Sequence, residues 1–139
     1  MNCRLSCGAN RVSGRIGYTY EVSGRVVKAG VHKTVSSNMK ENILEAIIRG
    51  MNACRSLVHH EDILIIEVQN QHLASWLSGE ISYKGYEDYL DRLFNTLESM
   101  DCRYKFMFVK KPFALSYIDS HDISRENMSS LESLMEEFI

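Results

Sequence analysis

Two neighbouring stretches decide the fold: SSNMKENILEAIIRGMNAC from Ser36 to Cys54, and ILIIEVQNQHLASWLSGEISYK from Ile63 to Lys84. In the first stretch, small and apolar residues recur at helical spacing, which predicts a helix with one apolar face. Asn38 stands at the expected N-cap, and Glu41 follows it by three residues, as in a capping box. The run ILIIEV is typical of a buried strand. A helix followed by such a strand predicts a parallel pairing through a right-handed crossover.

The segment before this helix predicts three strands, Arg4–Gly8, Gly14–Val22 and Arg25–Val35, because β-branched and aromatic residues dominate them. Ser23-Gly24 predicts a hairpin turn between the last two strands. The residues between Gly8 and Gly14 are rich in Gly, Asn and Ser, and they predict a loop.

The segment after the buried strand predicts a short helix over His72–Leu77, a long amphipathic helix over Tyr86–Met100 and a fifth strand over Arg103–Lys110. From Ile123 the pattern predicts a terminal amphipathic helix with an acidic outer face, after a linker at Asp119–Asp122. The predicted class is α/β, with a mixed five-stranded sheet flanked by helices. Its first three strands are antiparallel, the later strands are parallel, and an extra helix follows at the C-terminus.

Length and composition are those of a soluble globular protein. The chain has 139 residues, with 45% hydrophobic and 24% charged residues, which predicts one folded domain. The main part of this domain is expected over residues 1–118. Residues 119–139 are expected to form the acidic helix that packs on this domain or extends it. No run of about 18 apolar residues exists to span a membrane, and the N-terminus has no apolar signal region. The four cysteines lack zinc-site spacing. We therefore expect an intracellular, soluble protein with reduced thiols.

Charge is distributed unevenly along the chain. Residues 1–60 contain nine Lys/Arg and three Asp/Glu, whereas residues 61–139 contain seven Lys/Arg and fifteen Asp/Glu. Such asymmetry indicates either a basic face for phosphates and an acidic face for a protein, or charges dispersed over one globule. Halves of a sequence need not be halves of a surface, so both interpretations stay open.

Three segments resemble the type I ribonuclease H family. LSCGANRVSGRIGYTYEVSGRVVKAG is similar to the family's first strand, small-residue loop and hairpin, and VSSNMKENILEAIIRGM is similar to its first long helix. IIEVQNQHLASWLSGE is similar to its central strand and the short helix that follows. The resemblance extends from Cys3 to about Val109 and implies a ribonuclease H-like fold. The activity it implies is hydrolysis of the RNA strand of a hybrid, by Mg²⁺ ions that carboxylates hold.

The positions that would carry those carboxylates hold other residues here. By the resemblance, the four acidic positions fall at Arg4 or Leu5, at Ile43, at Gln69 beside Asn70, and at Ser116 or Tyr117. Mg²⁺ takes oxygen ligands in near-octahedral geometry, so apolar side chains cannot replace a whole site. No catalytic residues and no metal are therefore expected.

A displaced set of carboxylates is the alternative. Glu67 lies two residues before Gln69 and therefore projects from the same side of its strand. Asp119 follows the late position, and Glu41 lies near the start of the first helix. With these residues the protein would be a Mg²⁺-dependent nuclease. If the protein does not use these carboxylates to bind metal, no cofactor is expected.

The expected function is that of a catalytically inactive ribonuclease H-like module, for example a subunit of a larger complex or of a viral or mobile-element apparatus. The expected partner of this module is a protein, a second copy of the chain or nucleic acid, and no membrane contact is expected. Candidate phosphate contacts are the cations of the opening strands: Arg4, Arg11, Arg15, Arg25, Lys28 and Lys33. A net charge of −2 argues against strong non-specific binding to nucleic acid.

Overall fold

A computed structural model describes residues 2–79 and 85–123 of the chain. The elements in these residues are β1 (Asn2–Asn10), β2 (Arg15–Val22), β3 (Arg25–Lys33), α1 (Met39–Cys54), β4 (Ile63–Val68), α2 (Gln71–Leu77), α3 (Glu87–Met100), β5 (Arg103–Phe108) and α4 (Phe113–Ser120). The strands form one sheet in the order β3-β2-β1-β4-β5. β1, β2 and β3 are antiparallel neighbours, whereas β4 is parallel to both β1 and β5. The predicted mixed five-stranded α/β sheet is confirmed.

The two faces of β1 contact different helices, because successive side chains of a strand point to opposite faces. Leu5 is fully buried under α1, where a Cβ on Gly50 would lie 2.9 Å from its Cδ1. Ser6 points the other way, and its Oγ accepts a hydrogen bond of 3.0 Å from the backbone N–H of Ala114 in α4. The sheet therefore separates α1, which also packs against α3, from α4.

Helix α1 begins as the sequence predicts. The Oδ1 of Asn38 accepts hydrogen bonds from the backbone N–H groups of Lys40 and Glu41, at 2.9 and 3.2 Å. Asn42, buried in the first turn, accepts from the N–H groups of Val35 and Ser36 and so ties the preceding loop to the helix. These bonds satisfy backbone donors that would otherwise lack partners.

The strand ends and the last helix differ from the sequence-based expectation. β1 extends to Asn10, so the loop predicted from Gly8 is shorter. Helix α4 was not predicted, because it is short and buries only Ala114 and Ile118. It crosses the predicted division between residues 118 and 119. The predicted terminal helix lies outside the described residues, apart from Ile123, so this division stays a prediction.

The carboxyl ends of β1, β3, β4 and β5 lie at one edge of the sheet, since these four strands run in the same direction. The turn between β1 and β2 and the starts of α1, α2 and α4 follow directly from these ends. We call this region the carboxyl edge. In the part of the chain described, no helix is both long enough and apolar enough to cross a membrane.

Close packing of α4 on β2 depends on a glycine. A Cβ on Gly17 would lie 2.6 Å from Cγ1 of Ile118, closer than real Cβ contacts. We predict that Gly17→Ala lowers the free energy of unfolding by about 1–3 kcal/mol, as overpacking does. Shortening the opposing side chain in the double variant Gly17→Ala/Ile118→Ala should relieve this clash.

Denaturant titrations of the wild type, the two single variants and the double variant measure this coupling. The double variant should be destabilised by less than the sum of the single variants. Strict additivity would contradict the direct contact between Gly17 and Ile118.

Candidate functional site

A cavity of about 460 Å³ lies at the carboxyl edge, between the ends of β1 and β4 and the beginning of α4. Its polar lining residues are Asn10, Arg11, Gln69, Lys111, Ser116 and Asp119. Its apolar lining residues are Ala9, Met39, Pro112 and Leu115. The cavity brings together Gln69 and Ser116, which resemblance places at acidic positions of the family, and Asp119 of the displaced set. It is therefore the candidate functional site.

The side-chain amide of Gln69 has a defined orientation. Its Oε1 accepts a hydrogen bond of 2.8 Å from the backbone N–H of Ala9, just beyond the paired part of β1 and β4. A backbone N–H can only donate, so the atom facing it must be the oxygen. The two Nε2 hydrogens can therefore be donated to another group. Because Gln69 lines the cavity, that group can be a molecule bound there. At this position the side chain thus offers hydrogen-bond donors.

Two cations line the same cavity. Arg11 follows the end of β1, and Lys111 precedes α4; both side chains are exposed. Within residues 2–79 and 85–123, neither makes an ion pair with a carboxylate. Lys111 was not a candidate in the sequence, because only the fold brings the segment between β5 and α4 to the cavity that Arg11 also lines.

The one carboxylate among the described lining residues is Asp119. Its Oδ1 accepts a hydrogen bond of 3.1 Å from Nδ2 of Asn10. The Oδ1 of Asn10 in turn accepts from the backbone N–H groups of Val12 and Ser13, at 3.0 and 3.1 Å. Asp119 therefore connects α4 to the turn between β1 and β2.

The other positions that the resemblance marks as acidic do not meet in the cavity. Leu5 and Ile43 are buried in the hydrophobic core between the sheet and α1. Arg4 is half-exposed and pairs with Glu67, with 3.3 Å between its Nε and Oε2 of the carboxylate. Tyr117 stacks on His121, with ring centroids 3.8 Å apart.

The residues of β1 and α1 that lie near Gln69 and the cavity are not the ones that the resemblance marks as acidic positions. The residue of β1 beside Gln69 is Gly8, where a Cβ would lie 3.3 Å from Oε1 of Gln69 and 3.0 Å from Cδ2 of Leu115. From α1, the cavity is lined by Met39. Gly8 lies beside Gln69 because of the register between β1 and β4 and because successive side chains of β1 point to opposite faces. The register cannot be deduced from the sequence until the pairing of the two strands is known.

The three displaced carboxylates lie with separate partners. Glu67 is buried and holds the ion pair with Arg4. Glu41 accepts a hydrogen bond of 3.2 Å from Oγ of Ser36 at the start of α1. Among the described residues, no group of three or more His, Cys, Asp or Glu side chains is arranged to hold a metal ion.

The six cations predicted to contact phosphate do not share one surface. Arg11, Arg15 and Lys33 are near the carboxyl edge, and Arg15 donates a hydrogen bond of 2.9 Å to the carbonyl oxygen of His121. Arg25 is the first residue of β3 and therefore lies at the far end of the strand from the carboxyl edge. Lys28 lies within β3, and Arg4 within β1.

The cysteines add no reactive group to the site. All four are free thiols. Burial raises the pKa of the Cys7 thiol well above its ordinary value and raises the pKa of Cys54 to about 12. Since the thiolate is the form that ligates metals and attacks electrophiles, these two side chains are inert at neutral pH.

The donor set of the cavity does not fit a pair of Mg²⁺ ions. Such ions require several oxygen ligands, mostly carboxylates, at close range. Here one carboxylate stands among two cations and an amide that presents its hydrogens. The same groups suit an anion, because phosphate and carboxylate oxygens accept hydrogen bonds from guanidinium, ammonium and amide donors.

Comparison with known proteins gives structural but no sequence relatives. No protein-family model matches this sequence, and no curated protein matches it. LC11-RNase H1, in a crystal structure with an RNA/DNA hybrid, superposes with a TM-score of 0.63 at 12% identity, over 79% of this chain and 85% of that one.

Two further structures give similar results. The N-terminal RNase H domain of a Mycobacterium tuberculosis protein has a TM-score of 0.64 at 10% identity, over 80% of this chain and 88% of that one. RNase H1 of the halophilic archaeon Halobacterium salinarum has a TM-score of 0.58 at 12% identity, over 93% and 97%. With the sheet order described above, these superpositions establish that the chain has a ribonuclease H-like fold.

Proposed function

We propose that this domain binds the sugar–phosphate backbone of nucleic acid at the carboxyl edge and does not hydrolyse it. The observation that carries the proposal is the orientation of Gln69. Its oxygen is occupied by the N–H of Ala9, so its Nε2 donors are available where, by resemblance, the family has a metal-binding carboxylate. The cavity therefore presents amide hydrogens and two cations, groups that an anion would bind.

Phosphate is the anion that best suits these groups. Arg11 can donate two parallel hydrogen bonds to neighbouring phosphate oxygens, and Lys111, which lines the same cavity, supplies a second positive charge. Phosphate oxygens and sugars receive about half to two-thirds of the hydrogen bonds in protein–DNA complexes, many of them from side chains of these types.

The choice of nucleic acid over other phosphates comes from the fold. LC11-RNase H1, which shares the fold, has been crystallised with an RNA/DNA hybrid. A hybrid is therefore the first ligand to test. A protein partner or self-association, which the sequence also suggested, stays a prediction beside this one.

The contacts of the acidic side chains support a non-catalytic role. Glu67 is paired with Arg4, Glu41 with Ser36, and Asp119 with Asn10. To bind metal together, these three carboxylates would have to leave their partners and move to a common point. We therefore infer a ribonuclease H-like domain without the two-metal chemistry.

Gln69→Glu tests the proposal with little change of shape. The glutamate can still accept the N–H of Ala9, but it replaces an amide donor with a negative charge. We predict an affinity for a labelled RNA/DNA hybrid at least about tenfold lower, since a hydrogen bond to a charged group contributes about 1.5–3 kcal/mol. Fluorescence anisotropy at fixed ionic strength measures the difference.

The matched control is Gln71→Glu, the same change at an exposed position of α2 that does not line the cavity. It should bind the hybrid nearly as well as the wild type. Equal loss in both variants would indicate a general charge effect and would contradict a specific role for Gln69.

Incubation with divalent metals tests the absence of hydrolysis. We predict that the wild type leaves a labelled hybrid intact with either Mg²⁺ or Mn²⁺, because its carboxylates do not converge. Gel analysis of the products measures this. Metal-dependent cleavage that Glu67→Gln abolishes would instead establish the nuclease with displaced carboxylates.

A further inference from the structure

Part of the sheet surface on the side of α4 stays accessible to solvent. Helix α4 packs on β1 and β2, near the carboxyl edge, where it contacts Ser6, Gly8 and Gly17. The rest of this surface belongs to β4, β5 and the start of β1, and its side chains are exposed or partly exposed. We call it the uncovered face, and its residues are Arg4, Ile63, Ile65, Arg103, Lys105 and Met107.

The sequence of β4 indicates that both faces of this strand are covered. ILIIEV is an almost continuous apolar run, and β4 pairs in parallel with both β1 and β5. Strands in parallel arrangements are normally buried on both faces, so they lack an alternation of apolar and polar residues. Leu64 and Ile66 are fully buried on the side of α1, whereas Ile63 and Ile65 on the other side are partly exposed. Within residues 2–79 and 85–123, the uncovered face thus lacks an apolar partner.

Residues 124–139 have the composition that such a partner needs. Their apolar residues recur at helical spacing: Met128, Leu131, Leu134, Met135 and Phe138. Four glutamates against one arginine give this segment a net charge of −3. On the uncovered face, Arg103 and Lys105 make no ion pair with a carboxylate of the described residues. An apolar stripe flanked by glutamates therefore complements an apolar centre flanked by cations.

The described chain ends within reach of this face. His121 follows α4 and lies beside the first residue of β2, because its carbonyl oxygen accepts a hydrogen bond from Arg15. The pairs Arg15–Asn10 and Arg4–Ile65 place Ile65 six residues farther along the strands and two strands across. At about 3.3 Å per residue and about 4.8 Å between strands, this separation is roughly 22 Å. A helix over residues 124–139 would be about 24 Å long, which is enough to reach Ile65.

We propose that residues 124–139 form an amphipathic helix that packs on the uncovered face. Its apolar side chains cover Ile63, Ile65 and Met107, and its glutamates lie beside the cations of β5. Both faces of the parallel strands are then buried. The acidic terminal segment thus packs on the domain rather than extending from it. Because this face lies away from the cavity at the carboxyl edge, the inference does not depend on the proposed function.

Thiol labelling of Ile65→Cys in the full chain tests this inference. The helix should make this thiol react slowly with iodoacetamide, and adding Leu131→Glu/Leu134→Glu, which places charges in the apolar stripe, should speed the reaction at least about tenfold. Peptide mass spectrometry separates this thiol from the four native cysteines. The matched control is Val27→Cys, at a residue of β3 that is 47% exposed and lies outside the uncovered face. It should react fast with or without the two glutamates.

Two native thiols report on the fold during this experiment. Cys7 and Cys54 are fully buried, so they should stay unlabelled in every variant. If they react in the glutamate variant, Leu134→Ser alone takes its place in the same comparison.

Three results would overturn the inference. The first is fast labelling of Ile65→Cys when residues 124–139 are unchanged. The second is slow labelling that the substitutions at Leu131 and Leu134 do not alter. The third is protection that depends on protein concentration, because a second copy of the chain would then cover the face.

Discussion

The hydrogen bond from the backbone N–H of Ala9 to Oε1 of Gln69 fixes the orientation of the side-chain amide at the carboxyl edge. It lies where β1 and β4, parallel up to the Ser6–Glu67 pair, reach their carboxyl ends. A carboxylate at residue 69 could accept the same bond, but it would present a negative charge to the cavity. The amide presents hydrogens instead. Together with Arg11 and Lys111, this amide supplies the donors that the proposed function assigns to an anion.

The same edge depends on how closely α4 approaches the sheet. Ser6 accepts a hydrogen bond from the backbone of Ala114, and Gly8 and Gly17 leave no side chain between the strands and the helix. This approach brings Asp119 to Asn10, which holds the β1–β2 turn, and brings Lys111 to the cavity that Arg11 also lines. The small residues of β1 and β2 thus position the groups that the proposed function uses.

Much of this fold could be predicted from local sequence. The apolar face of α1, its Asn38 cap and the turn at Ser23-Gly24 are signals that operate within a few residues, and the structure agrees with them. Helix α4 gave no comparable signal, because a short helix with two buried positions has too few repeats to show a period.

The candidate site was harder to predict, because its residues come together only through strand pairing. Gln69 was identified through the family resemblance, but Gly8 and Met39 became visible only with the register and the helix placement. Arg25 and Arg11 belong to the same basic segment of sequence, yet the hairpin puts them at opposite edges of the sheet. Charge counted along a chain does not give charge on a surface.

The salt dependence of hybrid binding tests the central claim most directly. Each phosphate contact adds about 0.9 to the slope of log affinity against log salt concentration in a DNA duplex. The double variant Arg11→Ala/Lys111→Ala should therefore have a shallower slope, by about two contacts, while Arg25→Ala keeps the slope of the wild type. An unchanged slope in the double variant, or an equal change in Arg25→Ala, would contradict an anion site at the carboxyl edge.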